Sequence, residues 1–222
     1  MLREYKTLND FLKKYFMLSN AEIVSSQKQL SVLNSFESSY SENNFSSLFY
    51  YCARKKYDLQ EVREFGVLGC YSLSALTLGA IKNNPEIKIY GHDLFEDYPF
   101  NSFKLSDAMM RLENLGISKN IELIKEDAIK SGSLLAGLAS SDITHIDISN
   151  DGNIFEMVFK SNLKPKSLVL LEGGSLQRDK NSWISKYNAR EINPIIKKFS
   201  NNSNFNLHLI NDYPSILLIE SL

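Results

Sequence analysis

From Glu61 to the end of the chain, two kinds of apolar run alternate. Short runs rich in Val, Ile and Leu fall at residues 62–65, 87–91, 121–125, 143–147 and 167–171, the length of buried strands. Longer runs with helical spacing fall between or after them, at 72–82, 103–115, 129–139, 154–161 and 193–200. Gly116, directly after Leu115, is a helix stop. Strands that alternate with helices predict an α/β fold with a doubly wound, parallel sheet. The last two apolar runs, 205–210 and 215–220, are separated only by Asn211-Asp-Tyr-Pro214. That spacing predicts an antiparallel hairpin at the end of an otherwise parallel sheet.

The first 58 residues read differently. Thr7 or Asn9 can cap a helix through Phe16, and Asn20 can cap a second one. Ile23, Leu30, Val32, Leu33 and Phe36 supply the apolar face there. A Ser/Glu/Asn-rich loop at 38–44 precedes a third helix at 45–56. The chain therefore divides into an N-terminal helical cap, 1–58, and a main domain, 59–222.

Composition narrows the class only a little. A length of 222 residues suits one domain with an appendage. Hydrophobic residues at 43% and charged residues at 23% are ordinary for a globular chain. A net charge of −1 gives no basic excess, which disfavours nucleic acid as a partner. Arg54-Lys55-Lys56 reads as a solvated helix end. Cys52 and Cys70 predict two free thiols in a reducing compartment, and hence a cytoplasmic location. Asn9, Asp10, Lys13 and Lys14 interrupt the N-terminus, unlike a signal peptide. No membrane span is expected, because no run of ~18 apolar residues occurs.

The chemistry concentrates in Glu64-Phe-Gly-Val-Leu-Gly-Cys-Tyr-Ser72, which joins the first strand of the main domain to its helix. The next strand ends at Asp93. This βαβ shape suits an adenosine-type cofactor. Gly66 permits a sharp turn and close backbone approach. Ser72 opens a helix whose N–H groups suit a carboxylate, and Asp93 suits ribose hydroxyls. Ligands in such sheets sit at the carboxyl ends of the strands. Two further strands end there, in Thr144-His-Ile-Asp-Ile-Ser-Asn-Asp151 and Leu170-Leu-Glu-Gly-Gly-Ser175. His145 and Asp147, two apart on a strand, face the same side.

From Glu61 to Leu222 the chain resembles the class I S-adenosylmethionine-dependent methyltransferases. It is most similar to small-molecule O-methyltransferases of the catechol and macrocin types. The catechol pattern Glu-x-Gly-x-x-x-Gly-Tyr-Ser is met by Glu64, Gly66, Tyr71 and Ser72. The macrocin pattern Tyr-Gly-Phe-Asp-Ser-Phe-Glu-Gly is approached by Tyr90-Gly-His-Asp-Leu-Phe-Glu-Asp97. The resemblance implies a Rossmann-like methyltransferase fold, a seven-stranded, mostly parallel sheet with an antiparallel last strand, plus the N-terminal helices. It implies S-adenosylmethionine as cofactor and methyl transfer to a hydroxyl of a small molecule, with a sugar or glycosylated metabolite as one acceptor class. The cofactor contacts implied are Glu64, Gly66, Gly69, Tyr71, Ser72 and Asp93, with Asp127 on the adenine amino group and Ala128 in the adenine slot. Two departures stand out. Cys70 replaces a family glycine, with Gly69 one place early, and would narrow the space over the methionine moiety or bend the loop. Lys164-Pro-Lys-Ser167 replaces a usual Lys-Pro-Gly-Gly.

In metal-dependent relatives, Mg²⁺ is held by an Asp at the first of these strand ends and an acidic pair at the second. The counterparts here are Asp147 and Glu172, with Gly173 in the third ligand's place. Without a metal, an alcohol acceptor needs a side-chain base, for which Asp147 and His145 are the candidates. His92 reads as packing in the cofactor shell and His208 as structural. Residues 173–190 are expected to form an acceptor lid using Arg178, Asp179 and Trp183, with Tyr187 on the same helical face as Trp183. The helical arm could be a homodimer element or a lid. Three other readings stay open: a cofactor-binding module without catalysis, a hydroxylase of the same fold, and a nicotinamide-dependent oxidoreductase. The terminal hairpin and the lack of Gly-x-Gly-x-x-Gly oppose the last.

Overall fold

A computed structural model describes residues 1–36, 38–99, 103–180 and 182–222, apart from the side chains of Ser182 and Trp183. Its strands are β1 (Leu2–Tyr5), β2 (Glu61–Phe65), β3 (Lys88–Asp93), β4 (Ile121–Lys125), β5 (Ile143–Ile146), β6 (Leu168–Glu172), β7 (Phe205–Ile210) and β8 (Ile216–Ser221). They form one mixed sheet in the order β1-β7-β8-β6-β5-β2-β3-β4. β6, β5, β2, β3 and β4 run parallel, and β8 lies antiparallel between β6 and β7. This is the expected Rossmann-like methyltransferase arrangement, with one strand more than the seven expected. The extra strand is β1, which pairs parallel with β7, Leu2 opposite Leu207 and Tyr5 opposite Ile210.

Side chains alternate across the pleat and so build two cores. Val62, Ile89, Leu170 and Leu218 face one side, where they pack with the helices α1 (Leu8–Tyr15), α2 (Asn20–Gln29), α3 (Ser46–Arg54), α4 (Tyr71–Ala80) and α5 (Leu105–Asn114). Val169, Leu171, Leu217 and Ile219 face the other, against α6 (Ser133–Ser140), α7 (Gly152–Lys160) and α10 (Asn193–Phe199). The short helices α8 (Leu176–Asp179) and α9 (Ser182–Lys186) follow β6. Residues 1–58 thus share a continuous core with the sheet. The α3 and α4 backbones nearly touch, since a Cβ at Gly79 would fall 2.2 Å from the Tyr50 carbonyl oxygen. Among the described residues, no helix is long and apolar enough to cross a membrane.

Local chemistry sets several element ends. Thr7 caps α1 by accepting from the Asp10 N–H at 3.1 Å. α2 is capped by Ser19, not Asn20, through a reciprocal bond pair with Glu22. The helix expected at 129–139 begins only at Ser133, because Asp127 draws the Ile129 and Lys130 N–H groups into a turn. Before β6, Lys166 takes φ +61°, at the position where the resemblance would put a glycine. A left-handed backbone costs an L-residue about 1–2 kcal/mol. Lys166→Gly should therefore raise stability by about 0.5–1 kcal/mol once glycine's larger unfolded-state entropy is subtracted. Chemical denaturation checks this, and an unchanged or lower midpoint would contradict it.

Candidate active site

A cavity of about 530 Å³ opens at the carboxyl ends of the parallel strands, within the range of small-molecule sites. It gathers six of the predicted site residues: Gly66, Asp93, Asp127, Ala128, Asp147 and Glu172. Five further polar residues of the wall, Ser39, His92, Tyr98, Glu126 and Arg178, lie outside the predicted cofactor, base and metal set. The other predicted residues do not line it. Glu64, Tyr71, Ser72 and His145 are buried beneath, and the Gly69 carbonyl accepts from Arg111 Nη1 at 3.2 Å.

The loop after β2 is shaped by backbone crowding. Gly66 has φ +89°, and a Cβ there would lie 2.2 Å from the Asp147 carbonyl oxygen. The ends of β2 and β5 therefore abut at Gly66, held by Gly66 N–H to His92 O and Asp147 N–H to Phe65 O, both 2.8 Å. Leu68 and Cys70 also take positive φ. Asp93 fastens this loop. Its Oδ2 accepts from the Val67 and Leu68 N–H groups at 2.6 and 2.8 Å, and its Oδ1 accepts from the Phe95 N–H at 2.6 Å. Cys70 does not narrow the cavity. Its buried sulfur turns toward the Ala108 carbonyl, 4.0 Å away, and burial pushes the thiol pKa up.

Under the cavity floor runs a buried polar chain. Ser72 Oγ donates to Glu64 Oε1 at 2.7 Å. Glu64 Oε2 lies 3.3 Å from His145 Nδ1, an ion-pair distance without hydrogen-bond alignment. His145 Nε2 meets Tyr40 Oη at 3.3 Å. His145 is thus buried against Tyr40 while Asp147 lines the cavity, so the two are not exposed side by side. Tyr40 comes from the N-terminal loop; only a lone aromatic in a polar stretch marked it in the sequence. Burial, then the neighbouring Glu172 carboxyl, hold the Asp147 carboxyl well above the usual carboxylate range. Burial, then the Asp147 carboxyl, push the Tyr40 phenol up.

Tyr71 turns away from the cavity, its hydroxyl accepting from the Ser46 N–H at 3.2 Å. His92 sits behind the lip as a bridge. Its Nδ1 is 2.7 Å from Glu126 Oε1 and its Nε2 is 3.2 Å from Arg63 Nη1. Burial lowers its pKa against the pull of Glu126. The neutral ring then donates from Nδ1 and accepts at Nε2. His208 lies remote from the cavity, between Tyr5 Oη and Glu220 Oε2, each at 3.2 Å. Asp179 serves no lid. Its carboxylate accepts from the Ile192 and Asn193 N–H groups at 2.9 and 2.7 Å and so caps α10. The Trp183 side chain lies outside the described residues.

Mg²⁺ at Asp147 and Glu172, one of the two readings the sequence leaves open, does not fit this arrangement. Arg178 Nη2 donates to Glu172 Oε1 at 2.7 Å, and both side chains are largely buried. The cation that would balance Glu172 is therefore already a side chain. Gly173 supplies no ligand, and its φ of +107° is a backbone conformation that a carboxylate-bearing residue rarely adopts. Among the described residues, no group of three His, Cys, Asp or Glu could hold a metal ion.

No family model matches the sequence, and no curated protein matches it either. Solved structures match the fold along nearly its whole length. A methyltransferase of Podospora anserina bound to SAH (S-adenosylhomocysteine) superposes with a TM-score of 0.60 at 13% identity, covering 92% of this chain and 89% of its own. A cofactor-bound protein from MTB gives 0.62 at 14% identity, covering 96% and 95%. An O-methyltransferase of Bacillus cereus in complex with SAH gives 0.57 at 11% identity, covering 98% of each chain. The chain therefore has the class I methyltransferase fold.

Proposed function

We propose that the protein is an S-adenosylmethionine-dependent methyltransferase acting on a hydroxyl of a small molecule. The observation that carries this reading is the charge and shape of the cavity on this fold. Five carboxyl groups, of Asp93, Glu126, Asp127, Asp147 and Glu172, line it against one guanidinium. That suits a sulfonium cofactor with a net positive charge and opposes a dinucleotide pyrophosphate. The N–H groups of Val67 and Leu68, where a phosphate would bind, are already taken by Asp93. This argues against the nicotinamide reading on physical grounds.

In this reading Asp93 receives the ribose hydroxyls with its remaining lone pairs, while Asp127 and Ala128 flank the adenine. The cofactor supplies an electrophilic methyl. The chain's own part is to align the acceptor oxygen with it and to take the hydroxyl proton. Asp147 in its ionised form is the proton acceptor; its raised pKa makes that carboxylate a stronger base than an ordinary Asp and means that the ionised share grows as pH rises toward the folded pKa. Glu64, His145 and Tyr40 form the buried polar chain beneath it. Sugars and glycosylated metabolites are the first acceptors to screen.

Calorimetric titration with S-adenosylhomocysteine tests the proposal, with saturable binding at one site per chain expected. No binding would remove the cofactor assignment. Binding with no turnover across an acceptor screen would favour a non-catalytic module. Asp93→Ala should weaken binding by about 1.5–3 kcal/mol, because it removes a charged acceptor and releases three loop N–H groups. Wild-type affinity in that variant would take Asp93 out of the site.

A further inference from the structure

We infer that Arg178 is the resident cation of this site, standing in the charge position that a divalent metal would otherwise take between Asp147 and Glu172. Its catalytic meaning rests on the methyltransferase reading; the charge substitution itself does not.

Three observations carry the inference. Glu172 is 6% exposed, and a carboxylate so buried needs a partner. Arg178 provides it at 2.7 Å. Asn150 Nδ2 adds only a long contact of 3.5 Å to the other oxygen. The guanidinium is held where it is needed. Ser175 caps α8 by accepting from the Arg178 N–H at 3.2 Å, and the Tyr213 ring lies 5.4 Å from the guanidinium carbon. Last, Gly173 and Gly174 bring the chain from β6 into α8 with φ of +107° and +105°. That turn removes the third oxygen ligand and delivers Arg178 back onto Glu172. The ligand loss and the arginine are one local design.

Position gives Arg178 a further role. It lines the large cavity and also a smaller one of about 220 Å³ bounded by Ser175, Asn211, Tyr213 and Pro214. A guanidinium has five N–H donors, and the contact to Glu172 engages one nitrogen. The others can hold acceptor oxygens at the boundary between the cavities. The smaller cavity is below the usual 300–1,000 Å³ of drug-sized sites, so it suits a single ring. Methyl transfer here would then run with no divalent ion, on a compact hydroxyl compound held by Arg178.

Mn²⁺ binding to the full chain, read by electron paramagnetic resonance at pH 8, tests the substitution without needing the acceptor. Wild type should bind no Mn²⁺ at this site. Arg178→Gln leaves Glu172, beside Asp147, without its cation and should gain one Mn²⁺ site, with Kd of roughly 0.1–1 mM, the weak end for oxygen-ligand sites. Arg178→Lys keeps the charge and should stay free of Mn²⁺, while Glu172→Gln in the Arg178→Gln background should abolish the gained site. Melting curves confirm that each variant is folded. One Mn²⁺ bound by the wild type and lost in Glu172→Gln would overturn the inference. So would a folded Arg178→Gln protein that gains no site. The S-adenosylhomocysteine titration is independent of both results, so failure of the cofactor assignment and failure of this one can be told apart.

Discussion

Gly66→Ala should abolish S-adenosylhomocysteine binding and sharply destabilise the protein. The added Cβ would sit 2.2 Å from the Asp147 carbonyl oxygen and 2.6 Å from its carbon. Both are backbone atoms at the end of a central strand, so neither can rotate away. The backbone at Gly66 also has φ +89°, which disfavours any L-side chain. A left-handed residue costs about 1–2 kcal/mol and overpacking about 1–3 kcal/mol. Together they amount to about 2–5 kcal/mol, a large part of a typical domain's stability of ~5–15 kcal/mol. Relief would require β2 and β5 to separate or the loop to swing, and either movement displaces Val67 and Leu68 from Asp93. Thermal melting and calorimetry check the two halves. A variant with wild-type melting temperature and cofactor affinity would show that the β2–β5 contact does not define the site.

The parts of this fold that were legible in the sequence are those where one physical cause dominates. Strands β5 and β6 are buried along nearly their whole length and read as short apolar runs, while β2, β3 and β4 keep apolar residues such as Val62, Ile89 and Leu123 between polar ones and are bounded by polar turns. β1 has only four residues, two of them exposed, and becomes a strand only because β7 offers it an edge. The start of α6 is hidden in the sequence because Ile129 continues an apolar pattern, while Asp127 ties its N–H into a turn and Gly132 follows with φ +81°. The cofactor end of the site was partly legible, because Gly66, Asp93 and Asp127 lie at strand ends on one sheet edge. The deeper residues were not. Ser72 reads as a carboxylate binder at a helix start, yet its hydroxyl is bound to Glu64. Tyr40 reads as a loop residue, yet it is buried with its hydroxyl on His145. Those pairings span 8 and 105 residues of chain, and no local pattern encodes the longer one. Arg178 reads as a lid residue, but its pairing with Glu172 depends on the backbone path through Gly173 and Gly174.

Asp147→Asn should eliminate methyl transfer and, at neutral pH, make the protein more stable. The loss of transfer follows from removing the proposed proton acceptor while keeping the shape of the side chain. The gain in stability follows from the raised pKa, and its sign can be worked out. An unfolded Asp titrates near about 3.9. Below that pH both folded and unfolded chains carry the proton at Asp147, so the amide should change little. Above it the unfolded chain releases the proton, while burial and Glu172 make the folded chain retain it. The native state then binds more protons than the unfolded one, and stability falls as pH rises until the folded pKa is reached. Each pKa unit between the two states is worth about 1.4 kcal/mol. The amide has no proton to lose, so the variant's advantage should open from about pH 4 upward and level off above the folded pKa. Melting temperatures of both proteins between pH 4 and 9 check this. A difference that does not change with pH would mean that Asp147 is already ionised in the folded chain, with Arg178 balancing both carboxylates. Growing instability with pH, paired with loss of turnover in the amide, would identify a group kept for its chemistry at the expense of the fold.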